Sequence, residues 1–464
     1  MQYGGSKRVA AVAVGLILVL RCAGVQADPA THLDLSVEPV RILLSAGADQ
    51  VTLRTDAPIR VGRELPQGSY TFRASRDRDP SRQFHLFTKT FAPDQTRERD
   101  AYLAELRGRG FRPEVVTIGR HMSTSSGRAL DTRVEWISVA REPSAQAAEA
   151  RRKHLLTQGL NAWVQAERVD EGQGFIEART ASGDIIASFS APLVITPNVP
   201  VSLDPVQTTY WDPKRGPLTF AGRIVIRLGD ERGLDAIEEI PVEDYLRGVL
   251  PAEMSASWPI EALKAQAVAA RSDVVSNLGG RYTLDGDDFF ATEQSRAYQG
   301  AAGRHPATDE ALRATTGEVL AEGKRVAPAV FSADCGGWTE NNDTVWFGPP
   351  DSVLRGTADT KRGAAKISPQ TAPDRFLRER DNAYCAGDET YFRWQRTYSE
   401  PELRAMINKV VAVGRIEDIV LGERGVSGRL KSVRVRGSSA TETIQKELPI
   451  RRAFGNLLSA FFIV

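Results

Sequence analysis

Glu253 stands at a joint in the chain. It ends the stretch PVEDYLRGVLPAE, is followed by the dipeptide Trp258-Pro259, and precedes an alanine-rich run carrying Lys264, Gln266 and Arg271. A carboxyl group in such a place can give and take a proton, and the side chains beyond it offer donors to an oxygen-rich ligand. The plainer alternative is a buried alanine-rich helix beside an ordinary solvated glutamate. Residue types alone leave both readings open.

A second cluster reads FSADCGGWTE, residues 331–340. Gly336 and Gly337 permit close backbone approach to a ligand, and Ser332 and Thr339 supply hydroxyls. A simple tight turn would leave the same signature. The five histidines show no metal-ligand spacing with each other or with the cysteines.

These residues need elements to position them. Glu243 and Asp244 suit the first turn of a helix, and Pro259 marks the start of a second one. Small residues at 262, 265, 267, 269 and 270 let a neighbour pack closely on that second helix. Lys264, Val268, Arg271 and Val275 share one of its stripes. Upstream, VRILLS and VTLRT read as short strands, and a charged joint, RASRDRDPSRQ, marks a boundary. Residues 171–240 and the tail from residue 415 return to strand signals.

Between the strand-rich parts lies an internal repeat. The stretches at 84–119 and 134–169 superpose with an offset of 49, so that Ala101 matches Ala150, Leu106 matches Leu155, Gly110 matches Gly159 and Val115 matches Val164. Each unit reads strand, helix, glycine turn, strand. Two such halves predict a four-stranded sheet with two helices on one face.

Composition bounds the rest. The chain has 464 residues, 26% of them charged and 41% apolar, the balance of a globular protein. Residues 1–27 read as a secretory signal: Lys7 and Arg8, an apolar run from Val9 to Leu20, then Val25-Gln26-Ala27. A retained anchor is the alternative. Setting that segment aside removes three of the 60 basic residues and none of the 59 acidic ones, so the remainder is nearly neutral. That gives no electrostatic case for nucleic acid. Of three cysteines, Cys335 and Cys385 remain, and in an exported protein the expectation is a disulfide that stabilises by about 4 kcal/mol, with two buried thiols as the alternative.

The stretch PVEDYLRGVLPAEM…WPIEALKAQAVAARS resembles the SpoIID/LytB family of peptidoglycan lytic transglycosylases. The resemblance continues through ATEQSRAYQG, GEVL, VFSADCGGWTENNDTVW and SGRLKSVRVRG…IRRAFG. It implies an α+β fold: a strand-rich SpoIID-type domain with a helical catalytic element, split by an insertion. The repeat is similar to the SPOR domain, a βαββαβ module that binds glycan strands stripped of stem peptides. The implied layout is a signal at 1–27, an N-terminal strand-rich part at 28–81, the SPOR-like unit at 82–168, a catalytic core at 169–360 and a C-terminal part at 361–464.

The resemblance also implies the chemistry. Glu253 would protonate the departing glycosidic oxygen, then take a proton from the muramic acid 6-hydroxyl as the 1,6-anhydro ring closes. A free glutamate with a pKa of about 4.3 carries its proton only about one part in 500 at pH 7. Packing of Glu253 beside Met254, Trp258 and the alanine helix is therefore expected to desolvate it. Lys264, Gln266, Arg271, Tyr298, Ser332, Gly336, Gly337 and Thr339 are the expected substrate contacts, with the two cations facing the substrate rather than Glu253. Many members bind zinc through a Cys/His/Cys cluster. The matching positions here are Phe290, Gln294 and Ser295, so no metal and no cofactor are expected, with Phe290 filling the vacated space. The expected partners are peptidoglycan strands, with a wall amidase or division proteins as further partners, in the periplasm or envelope. The competing readings are a non-catalytic wall-binding or amidase-stimulating protein, and an envelope scaffold whose repeat binds protein.

Overall fold

The computed structural model describes residues 31–33, 35, 39–123, 129–207, 215–229, 233–292, 295, 297–361, 367–379, 383–387 and 391–464. The expected signal at 1–27 and Gln294 lie outside the described residues. The fold is α+β and rich in strands. Among the described residues no helix is long and apolar enough to cross a membrane.

Two sheets share the main core. One runs, in spatial order, through Phe289–Phe290, Pro39–Ala48, Leu234–Pro241, Arg223–Leu228, Leu193–Pro197, Ile59–Val61 and Arg63–Leu65. Its neighbours are antiparallel except at Phe289–Phe290, which lies parallel to Pro39–Ala48. The strand RIVIRL, 223–228, is buried at five consecutive positions, as a strand covered on both faces must be. The second sheet is six-stranded and pairs Gly68–Arg78 with Gln173–Arg179. Apolar side chains of both sheets close on one cluster with three helices, α3 (Val242–Glu253), α4 (Ile260–Asn277) and α5 (Pro306–Ala314).

The repeat leaves and re-enters the six-stranded sheet between those two paired strands. It forms a four-stranded antiparallel sheet in the order Trp163–Asp170, Ser81–Phe91, Val134–Glu142, Glu114–Ile118, with helices α1 (Thr96–Gly108) and α2 (Ala145–Thr157). Leu106 and Leu155, equivalent under the 49-residue offset, are both fully buried between helices and sheet. Gly110 and Gly159, also equivalent, both take positive φ just past their helices (86° and 74°), where a side chain would be strained. The equivalence weakens at Val115, which is exposed, whereas Val164 packs at the core.

The other face of this small sheet is closed. Phe87, Trp136 and Trp163 pack with Leu284, which belongs to the core sheets' own loop. Arg82 holds Asp285 at 2.6 and 3.1 Å, and Arg168 reaches Asp235 at 3.0 Å with both side chains almost fully buried. The unit is therefore fastened to the core through desolvated ion pairs. A further three-stranded sheet (Ile416–Leu421, Ser432–Gly437, Thr441–Gln445) packs with a helix, Glu447–Ala453, around its own apolar cluster near the C-terminus.

Candidate functional site

α3 buries Val242, Tyr245, Leu246, Val249 and Leu250 and ends at Glu253. Gly248 is required where α3 meets Tyr298: a Cβ there would stand 2.5 Å from the ring and 2.7 Å from the Gly300 carbonyl oxygen. The chain turns through Ser255 and Ser257, whose hydroxyls are 2.9 Å apart, and Pro259 leads into α4. Glu253 is exposed at this joint, and Trp258 beside it is 55% exposed. The desolvating pocket expected around the carboxylate is not built. Met254 turns inward against the main core instead, because the joint is a surface corner and only one side of it faces apolar residues.

Two expected substrate contacts are structural. Arg271 is completely buried and grips Glu243 through two nitrogens at 2.7 and 2.9 Å, with the Glu318 carbonyl oxygen at 3.2 Å. It clamps α4 to the start of α3 and to the segment after α5, so its charge is spent inside. Tyr298 is also buried. Its ring packs on Tyr245 and Phe220, and its hydroxyl donates to Glu238 at 2.7 Å. Burial pushes the Glu238 carboxyl above the usual range, against hydrogen bonds from Tyr298 and the N–H groups of Gly222 and Ala221 that favour the ion. Lys264 remains at the surface, paired with Glu261 at 2.8 Å. Gln266 is half-buried, and its Nε2 is enclosed with no hydrogen-bond partner, the one α4 amide with unspent donor capacity.

The FSADCGGWTE cluster lies elsewhere. Ser332 and Gly336 line a cavity of about 1020 Å³ together with Tyr391, Trp394, Arg396 and C-terminal residues such as Phe461, Phe462 and Val464; Glu253 does not line it. Gly337 is buried against Phe376 and Ala383. Thr339 bridges to Thr357, accepting its N–H at 2.9 Å, and is a turn-closing residue rather than a ligand contact. The expected bridge is not formed: Cys335 and Cys385 are free thiols with sulfurs 3.8 Å apart, and the Cys335 S–H reaches the Asp359 carboxylate at 3.2 Å. Of the two, Cys385 is the one shifted toward the thiolate, chiefly by its contact with the Cys335 sulfur. Asp334 and Asp359, which complete this cluster, were not singled out from the sequence. The only signal was that Asp334 adjoins Cys335.

Two family models match this chain. Residues 230–321 match the SpoIID model, described as stage II sporulation protein. Those residues belong to the SpoIID family. Residues 340–464 match a separate domain of unknown function, DUF8618. An uncharacterised protein of Brachyspira hyodysenteriae is 37% identical over 113 residues, 24% of this chain and 30% of that protein. The amidase enhancer of Bacillus subtilis is 39% identical over 103 residues, 22% of this chain and 13% of its own. Stage II sporulation protein D of Bacillus subtilis is 30% identical over 125 residues, 24% and 36% respectively. The aligned stretches thus cover well under half of these relatives.

Within the SpoIID segment, the positions the resemblance assigns to zinc do not fit a metal. Phe290 presents an aromatic ring that packs 4.5 Å from the Tyr282 ring, and its N–H donates to the Ser295 hydroxyl at 2.9 Å. Neither residue offers a thiolate or imidazole. Next to this corner, Asp287 pairs with Arg227 at 2.8 Å in the interior, and burial pushes its carboxyl up to about 6 despite that partner. The SpoIID segment thus buries Arg271 and Asp287, whereas Glu253 and other charges such as Glu310 and Arg313 lie at its surface.

Proposed function

We propose that this chain is an exported peptidoglycan lytic transglycosylase that uses Glu253 alone as acid and then base. The observation that carries the reading is the position of the carboxylates: Asp273 is buried on α4 and Glu340 accepts a hydrogen bond from the Ser427 hydroxyl at 2.6 Å, whereas Glu253 is exposed at the end of α3, inside the SpoIID segment.

The reaction needs one proton and no water. The Glu253 carboxyl gives its proton to the oxygen between muramic acid and glucosamine as that C–O bond breaks. The muramic 6-hydroxyl then attacks the same anomeric carbon, and its proton returns to Glu253. The product is a 1,6-anhydro sugar, and the carboxyl is regenerated. A hydrolase would require a second carboxylate about 5 to 9 Å away to serve a nucleophile or water.

The 39% identity to an amidase enhancer favours one second reading, a wall-binding protein that stimulates a separate amidase. In either reading the repeat at 82–168 supplies glycan binding. Its closed aromatic face leaves helices α1 and α2 and the sheet edges to do so. Mass spectrometry of purified wall glycan after incubation separates the readings: anhydro-muramic ends that vanish in Glu253→Gln support the enzyme, and unaltered bound glycan supports the binder.

A further inference from the structure

We propose that Asp334, Cys335 and Cys385 form a zinc site, distinct from the position at which the SpoIID resemblance places a metal. The ligand atoms of these three residues lie within 4.8 Å of one another. Two observations point to a cation between them. The first is the sulfur separation of 3.8 Å. A disulfide would bring the sulfurs to about 2.0 Å. Two thiolates about 2.3 Å from one tetrahedral zinc stand about 3.8 Å apart, which is the separation found. The second is Asp334. Its Oδ1 accepts the Gly336 N–H at 2.6 Å, which fixes the carboxylate, while its buried Oδ2 has no hydrogen-bond partner. A buried carboxylate oxygen left without a donor is costly, and a cation satisfies it.

The surroundings suit a bound dication. Arg429 donates to the Cys335 carbonyl at 3.1 Å and Arg393 to the Gly336 carbonyl at 3.2 Å, holding the ligand turn rigid. Positive φ at Gly336 and Gly337 (72° and 93°) folds the backbone back so that the Gly337 N–H points at the Cys335 sulfur at 3.4 Å. N–H donation to a ligating sulfur is the usual outer support of such sites. Asp359 accepts the Cys335 S–H at 3.2 Å, the proton that metal binding displaces. On binding, both thiols lose their protons to solvent, and Zn²⁺ takes two thiolates and the Asp334 carboxylate.

The site has a structural consequence. Asp334 and Cys335 lie between the two matched segments, 230–321 and 340–464, and Cys385 lies within the second. Zinc therefore staples the exit from the SpoIID segment to the C-terminal part, at the wall of the large cavity that Asp334 and Cys335 help to line.

The test uses the purified full chain and zinc or cobalt alone. After washing with a chelator of moderate affinity, one equivalent of zinc per chain is expected. Replacement by Co²⁺ should give thiolate-to-cobalt charge-transfer absorption. Cys385→Ser should abolish both signals. Asp334→Asn keeps the bond to Gly336 and should weaken zinc retention at least about 10-fold. If Cys385→Ser fails to fold, Asp334→Asn alone carries the test, checked by a melting temperature equal to that of the zinc-free parent. Two results overturn the proposal: a metal-free chain with two freely alkylatable thiols that takes up neither ion, or a Cys335–Cys385 disulfide in chain acid-quenched directly from cells. Equal zinc retention by Asp334→Asn would remove that residue from the site.

Discussion

Replacing Arg271 by alanine distinguishes a ligand contact from a clamp. The guanidinium is wholly buried and gives two hydrogen bonds to Glu243 at 2.7 and 2.9 Å, with carbonyl or hydroxyl oxygens of Leu312, Thr315 and Glu318 within 3.5 Å. Removing it leaves the Glu243 carboxylate, about one-fifth exposed, facing the interior with only the Gly317 N–H at 3.1 Å. Breaking a buried pair from one side costs about 3–5 kcal/mol, more than the pair itself is worth. For a core of this size that is a fall in melting temperature of roughly 6 °C or more. The companion is Arg271→Met with Glu243→Gln, which removes both charges and fills much of the volume; it should recover more than half of the loss. Calorimetry of the single and double variants provides the assay. A single variant that melts within about 1 °C of the parent yet no longer binds wall glycan would refute the clamp and restore Arg271 as a substrate contact.

Glu253→Gln should leave the melting temperature within about 1 °C, because the side chain is exposed, and lower anhydro-product formation at least about 100-fold by mass spectrometry. Asp287, pushed up to about 6 by burial, binds its proton more tightly in the folded than in the unfolded chain, so its contribution to stability is greatest at low pH and is lost as pH rises from about 4 to about 6. The loss is on the order of 3 kcal/mol, and Asp287→Asn should flatten that part of the pH–stability curve in denaturant titrations. Gly248→Ala sets a methyl group against Tyr298 and the Gly300 carbonyl and should destabilise by about 1–3 kcal/mol, read as a lower urea midpoint with an unchanged slope. Its activity per folded molecule should be preserved.

What the sequence determined by itself is local. The repeat was legible because Leu106 and Leu155 must face a sheet and Gly110 and Gly159 must end helices, and each requirement is met within a few residues of chain. The helix pair on either side of Glu253 was legible for the same reason, through first-turn acids and the Trp258-Pro259 break. Residue type marked Arg271 and Tyr298 as ligand contacts, but their partners lie 28 and 60 residues away, and only packing α4 on α3 and the sheet decided that both would be enclosed. The same holds for the aromatic face of the repeat, closed by Leu284 from a distant loop. It holds again for the thiols, which sit 50 residues apart in the chain, so that Cys385 meets Asp334 and Cys335 only where the C-terminal part folds back. Period and turn chemistry are properties of neighbouring residues, whereas burial and charge pairing depend on which surfaces meet, and only the tertiary structure settles that.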